Sequence, residues 1–350
     1  MEVKALKFGG LTAKRPIVQG GMGVGVSLSS LAGNVAKCGG VGTISGVHPG
    51  YREADFKENP FRANLRAIGN ELEKAKKIAN GGIIGFNFMT VMNHYEEYVK
   101  EAIAAGADFI VSGAGLPVNL AKYAAGTRAA ILPIVSSARA LKLIVKQWQR
   151  ADRLPDAVVV EGPLAGGHLG YPYGHLVDGT FDTLEDSLVD VVDYVRELEE
   201  KNGVKIPVVA GGGVRNHADM ERLMALGASG VQVGTKFVAT EECDAAPAFK
   251  QAYLRSRKED VQLIESPVGL AARAIRNSFL EKVEKQGRIP VQRCYQCMNH
   301  CKQAETKYCI SQALIDAVQG REGLVFCGAN AYEIEKLSTV GKVMQELCGE

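Results

Sequence analysis

Eight short apolar runs rich in β-branched residues recur along this 350-residue chain, most of them followed by a longer segment of helical period. That alternation is the mark of repeated βα units and a parallel sheet. The runs cover 16–19, 42–45, 83–88, 109–112, 130–135, 157–161, 206–210 and 230–233. Helical patterns over 30–37, 64–79, 96–105, 138–148, 183–200 and 218–226 lie between them, often with Gly or Asn just past the end, as helix C-caps prefer.

The glycines indicate how the units close. Gly20-Gly21-Met22-Gly23 follows the first run, Ser112-Gly113-Ala114-Gly115 the fourth, Gly166-Gly167-His168-Leu169-Gly170 the sixth, Gly211-Gly212-Gly213 the seventh and Gly234-Thr235 the eighth. Unusual residues thus gather after strands and seldom after helices. In a ring of eight units those strand ends share one face, where barrels of this kind build their sites. The expectation is an α/β fold, a (β/α)8 TIM barrel over residues 1–245, with residues 246–350 as a helical, cysteine-rich C-terminal extension packed on it. An open sheet binding a dinucleotide is the rival, because Gly21-Met22-Gly23-Val24-Gly25 resembles a phosphate loop. Its glycine pattern breaks at Val26, and the second run ends without an acidic residue for a ribose.

Hydrophobic residues at 46% and charged residues at 23% permit a sizeable core and exclude disordered or fibrous classes. Lys plus Arg number 41 against 39 acidic residues, so the net charge of +2 argues for neither nucleic acid nor membrane as partner. No apolar run reaches the length of a signal peptide or a membrane span, and a cytoplasmic protein with reduced cysteines is expected.

Four places carry candidate chemistry. Gly211, Gly212 and Gly213 with Gly234 and Thr235 lie where barrels often bind a phosphate, between two loops and a helix N-terminus; a mononucleotide phosphate fits there, and plain tight turns are the competing reading. Asn87, polar at an otherwise apolar strand end, has an amide suited to a ring with imide groups, or to tying down nearby backbone. His168, with glycines on either side, projects an imidazole of near-neutral pKa and is the candidate general base. Glu161 suits a ribityl hydroxyl or a helix N-terminus. Gly21, Met22, Gly23 and Gly167 complete the candidate cofactor loops.

Cys294, Cys297, Cys301 and Cys309 form C-x2-C-x3-C-x7-C, a density that suits a [4Fe–4S] cluster in a reducing compartment. Zinc and free or paired thiols are the alternatives, and Cys327 is a substitute ligand.

Pro16-Ile17-Val18-Gln19-Gly20-Gly21-Met22-Gly23, Glu161-Gly162 with Gly166-Gly167-His168, Ala210 to Gly213 and Gly230 to Thr235 together resemble the nitronate monooxygenase (2-nitropropane dioxygenase) superfamily, which includes enoyl-acyl-carrier-protein reductase II. The resemblance implies FMN on the phosphate loops and a catalytic histidine at His168. Ser266-Pro267-Val268-Gly269, Ala272 to Ile275, the cysteines and Gly328 to Tyr332 resemble its iron–sulfur branch, represented by a bifunctional acyl-carrier-protein dehydrogenase/isomerase of unsaturated fatty acid synthesis.

Three functions follow as expectations. The first is proton and hydride exchange at the α and β carbons of an acyl thioester, as dehydrogenase-isomerase or enoyl reductase, with acyl carrier protein as a partner. The second is oxidation of alkyl nitronates with O2, and the third a non-catalytic iron–sulfur redox sensor. NAD(P)H dependence and a homodimer stay open.

Overall fold

A computed structural model describes residues 4–299 and 301–350. Residues 1–3, at an N-terminus whose sequence carries no apolar run of signal-peptide length, and His300, one of the histidines for which the sequence offers no site, lie outside them. The chain opens with a hairpin, β1 (Leu6–Phe8) and β2 (Leu11–Ala13). Eight parallel strands then close a barrel: β3 (Ile17–Gln19), β4 (Val41–Ser45), β5 (Ile83–Met89), β6 (Phe109–Gly113), β7 (Ala130–Val135), β8 (Val158–Glu161), β10 (Val208–Gly211) and β11 (Gly230–Val233). Each falls within two residues of a run expected from the sequence.

Helices between the strands start where the chain supplies a cap. Asn59 accepts from the N–H of Arg62 ahead of Pro60–Ala79, whose first residue is a proline that lacks the otherwise unpaired N–H. Thr183 and Asp186 form a reciprocal capping box at the start of Leu184–Asn202. The barrel interior is filled by Val18, Val41, Phe109, Val111, Leu132, Val159 and Val209, and the opening hairpin adds Leu6 and Phe8 to that cluster. The rings of Phe8 and Phe109 meet edge to face at 6.0 Å between centroids. Packing therefore occupies the barrel interior, leaving the strand C-terminal ends to carry the site.

A second sheet lies beside the barrel. Its strands are β12 (Val261–Glu265), β13 (Ala271–Ile275) and β9 (Gly167–Leu169), in the order β12-β13-β9. β9 belongs to the loop after β8 and carries His168 opposite Ala272. The loop expected from the sequence is thus a strand held by the C-terminal part of the chain. The last helix, Val340–Cys348, packs on Ser29–Lys37 and on His217–Ala225, which places it in the ring of helices around the barrel. Among the described residues no helix is long and apolar enough to cross a membrane.

Candidate active site

Strand register sets the rim. Ser45 lies opposite Asn87, and Glu161 opposite Gly211, so adjacent strand ends bring their polar residues to one level. Above this rim lies a cavity of about 450 Å³, within the range of small-molecule and cofactor sites. His168, Gly21, Met22, Gly23, Asn87, Glu161, Gly167, Gly212, Gly213, Gly234 and Thr235 all line it. Of the expected site residues near the barrel mouth only Gly211 does not: it stays within β10, under the side chain of Gln232.

Bare backbone forms much of the wall. A Cβ on Gly21 would collide with the side chain of Asn87, whose Nδ2 donates to the Gly21 carbonyl at 3.3 Å. The amide of Asn87 thus ties down backbone and also lines the cavity. Gly212 and Gly213 take φ of +102° and +90°, a region that side-chain-bearing residues rarely adopt. A hydroxyl from the same loops reaches the C-terminal part of the chain, since Thr235 Oγ1 accepts from the N–H of Gly328 at 3.1 Å.

Burial governs the titratable groups. It pushes the Glu161 carboxyl up to about 7 and the His168 imidazole down to about 4, because each loses hydration of its charged form. His168 is thus neutral near pH 7 and able to accept a proton. Its Nε2 lies 2.8 Å from Ser266 Oγ, and its ring meets Phe326 edge to face at 5.0 Å. Arg273, buried on β13, donates from Nη1 to the carbonyls of Pro163 (2.9 Å) and Ala165 (2.5 Å), fixing the turn that leads into the histidine.

Ser266, Arg273 and Phe326 escaped the sequence reading as site residues, and Cys327 entered it only as a substitute metal ligand. Ser266 touches His168, Phe326 and Cys327 line the cavity and Arg273 holds the turn before the histidine, each from about a hundred or more positions away, and only the resemblance of the 266–269, 272–275 and 328–332 stretches hinted at that part of the chain. Cys327 lines the barrel-mouth cavity, where burial pushes its thiol up to about 12; it does not share the cavity of the other cysteines and is no substitute ligand there.

Cys294, Cys297, Cys301 and Cys309 do come to one place, a second cavity of about 430 Å³. Their donor chemistry suits a soft metal, but their convergence does not. Cys294 and Cys301 are exposed while Cys297 and Cys309 are partly sunk, and among the described residues no three His, Cys, Asp or Glu side chains are grouped so as to hold a metal ion. Burial and the neighbouring thiols push Cys297 up to about 11. The geometry therefore does not support the expected [4Fe–4S] cluster, nor a zinc site in its place. Pro267 lines this cavity while Ser266 touches His168, so one peptide bond separates the two sites.

The model of the nitronate monooxygenase family matches residues 4–350. The chain belongs to that family. A protein described as a probable nitronate monooxygenase from Staphylococcus saprophyticus is 26% identical over 308 residues, which is 81% of this chain and 82% of the relative. Among solved structures, FabK from Thermotoga maritima aligns with a TM-score of 0.71 at 23% identity, over 96% of this chain and 92% of that one. A nitroalkane oxidase from Streptomyces ansochromogenes aligns with a TM-score of 0.68 at 20% identity, over 96% and 95% of the two chains. Family membership makes this chain an enzyme of an oxidoreductase family, while the two structural likenesses speak to the fold. The glycine loops and His168 that carried the resemblance in sequence lie within the matched region.

Proposed function

We propose that this enzyme is an FMN-dependent oxidoreductase that exchanges a proton and a hydride at the α and β carbons of an acyl thioester. One observation carries the reading: an imidazole and a glycine-built cradle at the ends of β10 and β11 face the same cavity. Gly212, Gly213, Gly234 and Thr235 would hold the phosphate, and Asn87, whose Oδ1 remains free to accept, would meet a ring imide. Bound FMN supplies two-electron chemistry that no side chain here can perform.

The protein's own part is to bind, orient and move a proton. His168, kept neutral by burial, takes the proton from the α carbon, with Nδ1 as the nitrogen left free by Ser266. Glu161, with a carboxyl that titrates near neutrality, is able to donate a hydrogen bond to a ligand oxygen. Leu314, Leu324 and Phe326 give the cavity an apolar wall from the C-terminal part of the chain. Such a wall suits an acyl chain better than a small nitronate, and an acyl group would come on a carrier such as acyl carrier protein.

Nitronate oxidation is the second reading, favoured by the described activity of the Staphylococcus relative, with His168 taking the α-proton of the nitroalkane from which the nitronate forms. Anaerobic mixing of FMN-loaded enzyme with butanoyl-pantetheine, crotonyl-pantetheine plus NADH, or ethyl nitronate separates the readings. Bleaching by the saturated thioester, or NADH-driven reduction reoxidised by the unsaturated one, is expected. Bleaching by the nitronate alone overturns the thioester reading. The redox-sensor reading predicts that His168→Ala changes no turnover, whereas catalysis predicts its loss. Iron content of anaerobically purified protein decides whether the cysteine cavity takes a cluster.

A further inference from the structure

We infer that Ser266 is a positioning residue that pins His168 by Nε2 and thereby makes Nδ1 the nitrogen that works in the cavity. The inference rests on the reading of His168 as the proton-transferring group. Ser266 comes from the turn between β12 and β13, close to a hundred positions from the histidine in sequence, and is 6% exposed. The turn holds it by three bonds: its N–H donates to the Leu270 carbonyl at 3.0 Å, its carbonyl accepts from Gly269 N–H at 2.9 Å, and its Oγ accepts from Val268 N–H at 3.3 Å. The hydroxyl therefore has a fixed place from which to meet Nε2 at 2.8 Å.

The rest of the imidazole is held just as closely. His168 is paired across the sheet with Ala272, and Phe326 lies against the ring, its own carbonyl accepting from the Tyr253 hydroxyl at 2.5 Å. With Nε2 committed to Ser266, only Nδ1 is left to meet a substrate.

Chemistry makes the contact matter most in mid-reaction. When an α C–H bond breaks, its electron pair stays on carbon, delocalised into the acyl carbonyl, and the proton passes to Nδ1. The imidazole is then a cation with N–H on both nitrogens, and Nε2–H must donate. Ser266 Oγ is the acceptor in place. A serine hydroxyl serves both before and after the transfer, since it donates to a bare Nε2 and accepts from a protonated one. Hydrogen bonds to charged groups are the stronger kind, so the partner stabilises the imidazolium more than the neutral ring.

Ser266→Ala and Ser266→Thr in the full-length protein test the assignment. Loss of a charge-assisted bond is expected to slow anaerobic flavin reduction about 10- to 100-fold in Ser266→Ala. The apparent substrate affinity should be unchanged and the isotope effect with α-deuterated butanoyl-pantetheine or 1,1-dideuteronitroethane larger. Threonine, which keeps the hydroxyl, should restore the rate. A readout without FMN or substrate comes from the imidazole 15N resonances of His168 in cofactor-free protein, where Ser266→Ala should shift Nε2. Should the alanine variant not fold, Ser266→Cys, similar in size but a weak acceptor, takes its place. Wild-type rate, isotope effect and 15N pattern in the variant without a hydroxyl would overturn the inference. His168→Ala run alongside separates the two failures: if it reduces flavin normally the base reading falls, while the 15N shift still reports on the bond.

Discussion

At Gly21 a single hydrogen atom decides whether the site forms, because any larger side chain collides with Asn87. Gly21→Ala should push that amide aside, break its bond to the Gly21 carbonyl and weaken FMN binding at least about tenfold, the equivalent of roughly 1.4 kcal/mol. Titration of FMN fluorescence checks this, and binding unchanged from wild type would remove the glycine cradle from the account. Residues of this kind were legible in the sequence because glycines in series after a strand have few structural uses and His168 sat among them. Ser266 was not legible as a partner of His168. Serine in a turn is common, and nothing local in the chain signals that the turn folds against a histidine in another segment.

Strands and helices of the barrel were read within a few residues because each obeys its own periodicity, and closure followed from the one-sided placement of glycines. The opening hairpin escaped: two strands of three residues are too short to show a period. It is nonetheless part of the barrel core. Phe8 is 4% exposed and stacks edge to face on Phe109, so Phe8→Ala should leave a cavity at the base of the barrel. The expected cost is about 3–5 kcal/mol, read as a lower urea midpoint with an unchanged slope. A variant with wild-type stability would show that the hairpin only covers the barrel without filling it. The last helix was likewise read as part of an extension. Its apolar face, with Val340, Val343, Met344 and Leu347 buried, identifies a packed helix, but the sequence does not say that its partners are the helices Ser29–Lys37 and His217–Ala225.

Across the whole molecule the buried histidines link folding to pH. His48, 4% exposed, is held at about 4 by burial, and its surroundings favour the neutral ring. Asn64 accepts from Gly50 N–H through Oδ1, which fixes its amide so that Nδ2 faces His48 Nδ1 at 3.2 Å; a proton on Nδ1 would set two donors against each other. The unfolded chain protonates this histidine near 6.5, so between about 6.5 and 4 it binds more protons than the folded one, and stability falls as pH falls. His168 acts in the same direction, whereas Glu161, raised to about 7, opposes them: its contribution is full below about 4.5 and disappears as pH rises through 7. The His48 share is isolated by subtraction. The stability difference between wild type and His48→Gln, measured by urea unfolding, should shift against the wild type by on the order of 3 kcal/mol between pH 7 and pH 4. A difference that stays constant over that range would mean that His48 takes up its proton equally well folded and unfolded, and the buried network around it would then have no part in acid sensitivity.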